Sequence, residues 1–215
     1  MIKGAVFDMD GLMFDSERLV YEIWQSTMDS LGYHYNIDIY KNTIGWRADQ
    51  TKQYYTSLYG DSFDYNPIRE KCRKTFLERV TSEGVPIKKG LFELLDFLKS
   101  KNIKTAVATS TSKLTATKVL SLANVYDYFD ELIFGDDVKI SKPDPEIYLT
   151  ASKRLNLPPK SCIALEDSFN GIKSAHSAGM TTIMVPDYLN PTDEIKPLIN
   201  YLCNDLSEVI EILQI

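Results

Sequence analysis

The sequence predicts an α/β fold: a parallel sheet with helices on both faces, interrupted once by an all-helical insertion. Short apolar runs alternate with amphipathic helical patterns through residues 1–15 and 83–215. Strands joined in this way by helices run parallel and are covered on both sides. Residues 16–82 break the alternation, being rich in tyrosine and helical spacing and lacking a convincing strand. The first apolar run, Ala5-Val6-Phe7, ends abruptly at Asp8-Met9-Asp10-Gly11. Two acids at the end of a buried strand repel each other and lose hydration unless a cation neutralises them. On that stretch alone, a surface turn with two solvated acids is the alternative.

After Gly11, residues Val20, Ile23, Trp24, Thr27, Met28 and Leu31 fall on one helix face, and Gly32 suits its carboxyl end. The insertion follows, with Tyr33, Tyr35, Tyr40, Tyr54, Tyr55, Tyr59 and Tyr65 read as its internal packing. Asn66-Pro67 starts its last helix, asparagine as cap and proline in the first turn, with Ile68, Cys72, Phe76 and Val80 as the apolar face. The core resumes with a helix carrying Leu91, Leu94, Leu95 and Leu98, a strand over 104–109, a helix capped by Ser112 and a strand over 131–134. Asp144-Pro145 opens the next helix, through Tyr148, Ala151 and Leu155. A strand over 161–165 ends at Glu166-Asp167. Ser168 caps the helix after it, Gly179 ends that helix, and a strand over 182–185 halts at Pro186. Asp205 and Glu208, spaced as a capping box, precede a closing helix with Val209, Ile212 and Leu213. The expected division is a core of 1–15 and 83–215 and a helical cap domain of 16–82.

Composition excludes several classes of function. At 44% hydrophobic and 25% charged residues, the chain buries an ordinary globular core. With a formal charge of -6, its densest basic cluster (Arg69, Lys71, Arg73, Lys74, Arg79) is interleaved with Glu70 and Glu78. That reads as a solvated helix face and not as a nucleic-acid surface. Cys72, Cys162 and Cys203 have neither metal spacing nor an even count, which implies buried thiols in a reducing compartment. No apolar span suits a bilayer and no basic-then-apolar leader opens the chain, so the expectation is a cytoplasmic protein without membrane or nucleic-acid partners.

In an open parallel sheet, ligands bind outside the carboxyl ends of the strands. There the predicted strands deliver Asp8 and Asp10, then Thr109 and Ser110, then Asp136, Asp137 and the later Lys142, then Glu166 and Asp167. Carboxylates, hydroxyls and a lysine on one edge suit a single reaction. A phosphate monoester repels a carboxylate nucleophile unless a cation screens both anions, and Mg²⁺ takes oxygen ligands from a few carboxylates and a phosphate. A lysine adds positive charge, and a hydroxyl with backbone N–H groups holds the remaining oxygens. A second acid can protonate the leaving oxygen and later deprotonate water. His34 and His176 stand alone and are read as structural or solvated.

The chain resembles the haloacid dehalogenase superfamily, in the helical-cap subgroup that includes β-phosphoglucomutase and many small-molecule phosphatases. The likeness rests on four motifs in order: Asp8-Met9-Asp10-Gly11 with Asp15-Ser16, Val107-Ala108-Thr109-Ser110, Ser141-Lys142-Pro143-Asp144-Pro145, and Leu165-Glu166-Asp167-Ser168 with Gly171-Ile172. The resemblance implies a Rossmann-like core and makes Asp8 the nucleophile that forms an aspartyl-phosphate. Asp10 becomes the general acid and base and lends its carbonyl to Mg²⁺. Thr109 and the Ser110 amide would hold the phosphoryl group, and Lys142 would screen it together with Asp8. Asp167 would bind the metal, with Glu166 as ligand or supporting partner. The turn from Gly11 to Asp15 would let the cap open and close.

The same resemblance separates activities. Dehalogenases lack the second acid, which is present here as Asp10. The mutases carry a histidine five residues past the acid matched by Asp15, where this chain has Val20. Phosphonate hydrolysis needs a cap lysine, whereas the loop at Gly45 offers Arg47. The expectation is a Mg²⁺-dependent phosphatase acting on a small phosphorylated metabolite such as a sugar phosphate, with the phosphosugar mutase as alternative. A receiver-like signalling module, in which a phospho-aspartate is a switch, is the alternative of another class. For substrate contacts in the cap, Trp46 and Arg47 beside Gly45 are the candidates, followed by Trp24, since glycine admits a ligand, tryptophan stacks and arginine meets anions.

Overall fold

The sheet is built around its first strand. In the computed structural model, which describes residues 1–46 and 48–214, β1 (Gly4–Phe7) pairs in parallel with β2 (Lys104–Ala108) on one side and β4 (Cys162–Glu166) on the other. Beyond them lie β3 (Glu131–Ile133), β5 (Thr181–Met184) and β6 (Tyr201–Leu202), giving the order β3-β2-β1-β4-β5-β6, all parallel. The order reverses between β1 and β4, which opens a crevice at the carboxyl end of β1. Strand period sends alternate residues to opposite faces. Ala5 and Phe7 pack with helices α5 (Leu91–Ser100), α6 (Lys113–Leu122) and α9 (Glu208–Gln214), while Val6 packs with α7 (Glu146–Arg154) and α8 (Phe169–Ser177). The α/β reading with helices on both faces holds.

Helices α1 (Ser16–Ser30), α2 (Ile37–Lys41), α3 (Ala48–Tyr59) and α4 (Tyr65–Glu83) fill the insertion, with no strand among its described residues. Its centre is aromatic, as the tyrosine content suggests: Trp24 lies 5.4 to 6.3 Å, ring centre to ring centre, from Tyr35, Tyr55 and Tyr65. The two chain crossings that join insertion to sheet run side by side. Asp15 N–H donates to the Pro86 carbonyl and Lys88 N–H to the Met13 carbonyl, both at 2.9 Å.

Three local expectations change, and one strand appears that the sequence reading does not contain. Helix α4 is preceded by Asp64, not Asn66, and Pro67 is its third residue, which costs nothing because the first N–H groups of a helix have no internal acceptor. Ser112 occupies the cap position of α6, but its hydroxyl turns to Thr115, and the Asp136 carboxylate accepts the Lys113 N–H at 2.7 Å instead. The box before α9 is split: Glu208 accepts from Asn204 N–H, and Asp205 from Ser207 N–H. Strand β6 has only two residues, both exposed, so no periodicity announces it.

Candidate active site

Register brings the site together. Phe7 stands opposite Val107 and Leu165, so the next residue, Asp8, emerges between the ends of β2 and β4. Lys142 reaches it from the segment before α7 and uses all three ammonium protons. They go to Asp8 at 2.5 Å, Glu166 at 2.6 Å and the Ala108 carbonyl at 2.9 Å. The other Asp8 oxygen takes no hydrogen bond from any described residue.

Glu166 is fully buried and held at both oxygens. Oε1 accepts from Lys142 and from the Tyr148 hydroxyl at 2.6 Å. Oε2 accepts from the backbone N–H groups of Asp167 and Ser168 and from the Ser168 hydroxyl. Gly171, in the first turn of α8, makes room for it: a Cβ there would lie 1.9 Å from this carboxylate. Asp167 differs in having no hydrogen bond from a described residue, though it is only 4% exposed. The turn at Gly11, with φ +82°, presses so close that a Cβ there would lie 2.2 Å from Asp167 Oδ2. Only glycine satisfies both the angle and the space.

Asp10 faces the same crevice with each oxygen engaged, Oδ1 by the Ser16 hydroxyl at 2.8 Å and Oδ2 by the Thr111 hydroxyl at 2.7 Å. Thr109 is buried and its hydroxyl accepts the Thr111 N–H at 3.0 Å.

Burial pushes the Asp8 carboxyl well above the usual carboxylate range; Lys142 opposes the rise and Glu166 adds to it. Asp167 is raised well above its ordinary value too, by burial and then by Asp8 and Glu166. Burial disfavours the Lys142 charge, but Asp8 and Glu166 outweigh it and hold the ammonium above its usual value. Ligand oxygens of Asp8, Glu166 and Asp167 lie within 4.8 Å of one another. Three crowded carboxylates against an ammonium bonded to only two of them, Asp8 and Glu166, carry excess negative charge, and hard oxygen donors of this kind suit a divalent cation.

These groups floor a cavity of about 730 Å³ roofed by the insertion. Of the residues expected from sequence, Asp8, Asp10, Thr109, Ser110, Lys142, Asp167, Trp24 and Trp46 all line it, whereas Glu166 sits behind Lys142. Arg47 lies outside the described residues. Trp24 is mostly enclosed by rings, and Trp46 is 40% exposed with its edge on Tyr54. Asp136 and Asp137 do not reach the cavity: Asp136 binds the Lys113 N–H, and Asp137 binds the Phe134 N–H and pairs with Arg154. Sequence reasoning misses Thr111, Tyr148 and Glu17. Glu17 also lines the cavity, its carboxyl raised to about 7 by burial despite a hydrogen bond from Tyr40. Its adjacency to Asp15-Ser16 in the first turn of α1 was the available signal.

Comparison with known proteins agrees with this geometry. Residues 5–185 match the family model of haloacid dehalogenase-like hydrolases. A phosphorylated carbohydrates phosphatase of Thermotoga maritima is 36% identical over 185 residues, covering 85% of this chain and 84% of that protein. Hexitol phosphatase B of Escherichia coli O157:H7 is 30% identical over 97% of this chain and 94% of its own. Among solved structures, a β-phosphoglucomutase of Clostridium difficile superposes with a TM-score of 0.83 at 25% identity, covering 100% of this chain and 96% of that one. With sheet, insertion and strand-end acids all in place, the chain belongs to the haloacid dehalogenase-like hydrolases and is an enzyme of that family.

Proposed function

We propose that this enzyme is a Mg²⁺-dependent phosphatase of small phosphorylated metabolites, with sugar and polyol phosphates as its substrate class. The observation that carries the reading is Asp8: one oxygen fixed by Lys142, the other without a hydrogen bond from a described residue, at the floor of a cavity it shares with Asp10. The names of the carbohydrate and hexitol phosphatases support the substrate class.

In the proposed mechanism, the free Asp8 oxygen attacks phosphorus and the bond from phosphorus to the leaving oxygen breaks. Asp10, aimed by Ser16 and Thr111, gives its proton to that oxygen. It then takes a proton from the water that attacks the aspartyl-phosphate, which releases phosphate and restores Asp8. Thr109 and the Ser110 N–H hold the phosphoryl oxygens. With its three protons engaged, Lys142 acts by charge and by fixing Asp8. Asp8, Asp167 and the Asp10 carbonyl would hold Mg²⁺, and Glu166 orients Lys142 and the turn at Asp167 from behind. When bound, the ion screens the nucleophile from the phosphate. Residues 16–82 serve as the cap that encloses the substrate and excludes water. Val20, which lines the cavity, offers no proton to a sugar hydroxyl, and this favours hydrolysis over mutase chemistry.

Phosphate release from p-nitrophenyl phosphate tests the reading. Asp8→Asn is expected to lower turnover by about 10³-fold or more, and chelation by EDTA to abolish it until Mg²⁺ is restored. A stable phospho-protein without turnover would instead indicate a switch. A panel of phosphorylated metabolites then ranks substrates.

A further inference from the structure

Glu17, the second residue of α1, projects from the insertion to the edge of the catalytic turn. A Cβ at Gly11 would lie 3.3 Å from Glu17 Cγ, so the stem passes over the residue that follows Asp10. One carboxylate oxygen accepts the hydroxyl of Tyr40, itself only 5% exposed, which locks the side chain in place. The other takes no hydrogen bond from any described residue, and Glu17 lines the cavity that holds Asp8 and Asp10. An acceptor held rigidly in a cleft with no donor among the described residues leaves that donor to the occupant. Because Asp10 serves the ester oxygen, a group beside it meets the first atoms of the substrate beyond that oxygen.

We propose that Glu17 determines specificity: its free oxygen accepts a hydrogen bond from a hydroxyl on the carbon skeleton next to the phosphoester, and it rejects substrates with a carboxylate there. The inference rests on the phosphatase reading and narrows it to phosphates of polyhydroxy compounds. A neighbouring alcohol has a proton to give. A neighbouring carboxylate has none and brings negative oxygen against negative oxygen.

Three matched monoesters test this: glycerol 1-phosphate with a neighbouring hydroxyl, phosphoglycolate with a neighbouring carboxylate, and ethyl phosphate with neither. Wild type, Glu17→Ala and Glu17→Gln are assayed with Mg²⁺ at pH 8, which keeps a carboxyl raised to about 7 in its charged form. Turnover of p-nitrophenyl phosphate is followed in parallel, and any monoester that reacts too slowly is read as its competitive inhibitor. Glu17→Ala is expected to lower the glycerol phosphate to ethyl phosphate ratio of kcat/KM (or of inhibitory affinity) by about tenfold. Glu17→Gln, nearly isosteric and the variant to rely on should alanine unfold the cap, is expected to raise the phosphoglycolate to ethyl phosphate ratio by about tenfold. Changes below about threefold in both ratios, with p-nitrophenyl phosphate still hydrolysed by wild type, overturn the role of Glu17 alone. A wild type that hydrolyses no phosphate ester overturns the phosphatase reading and this inference with it.

Discussion

Asp10 owes its aim to two hydroxyls, one from each side of the cavity: Ser16 belongs to the insertion and Thr111 to the loop after β2. Thr111→Val keeps the shape and removes one donor. A hydrogen bond to a charged group contributes about 1.5–3 kcal/mol, so kcat should fall about tenfold or more with little change in KM, as read by steady-state kinetics. Glu17 yields a prediction of different sign. Its folded carboxyl, raised by burial to about 7 from an ordinary 4.5, binds a proton that the unfolded chain has released. Stability is therefore lost as pH rises from 4.5 through 7, by up to about 3 kcal/mol before allowance for the side of the group that meets the cavity. Glu17→Gln should melt above wild type at pH 8, and the gap should close at pH 5. Asp8, Thr109 and Asp167 can be located from sequence because each directly follows an apolar strand. Thr111 and Tyr148 cannot, since their direction depends on how a loop or helix docks, which no local pattern encodes, and Glu17 is marked only by its adjacency to Asp15-Ser16.

At the scale of the element, α8 shows how a helix start becomes part of the proposed catalytic centre. The Ser168 hydroxyl donates to Glu166 and accepts the Gly171 N–H at 3.1 Å, so one side chain caps the helix and fixes the buried acid. Gly171→Ala sets two effects against each other. Alanine favours a helix by about 1 kcal/mol over glycine, but its Cβ would meet a Glu166 carboxylate pinned by five donors. The clash should win, lowering both the melting temperature and kcat. Unchanged kinetics would show that Glu166 can shift without disturbing Lys142. Helices and strands with a clear apolar period can be placed from sequence to within a residue or two, as with the Ile68, Cys72, Phe76 and Val80 face of α4. What escapes is set by distant partners: the cap of α6 comes from Asp136, and β6 exists only because β5 offers it an edge.

Over the whole molecule, polar and ring contacts among the described residues join the insertion to the core. Asn170 Nδ2 donates to the Gly45 carbonyl at 3.0 Å, the Ser16 hydroxyl bonds Asp10 at 2.8 Å, and the ring of Tyr40 meets Tyr188. Asn170→Ala should raise KM about three- to tenfold with a smaller effect on kcat, since about 1 kcal/mol of closure is removed; equal loss in both parameters would show that Asn170 acts on the chemistry. No helix among the described residues is long and apolar enough to cross a membrane. Asn170 stands three residues past Asp167, on the first turn of α8, and this joins two equilibria into one thermodynamic cycle. An ion that steadies the Asp167 loop favours the docked insertion by some free energy, and docking must tighten the hold on that ion by the same amount. On the phosphatase reading proposed above, substrate analogues that dock the insertion should therefore raise the affinity for Mg²⁺, as read by calorimetric titration, even where they make no contact with the metal.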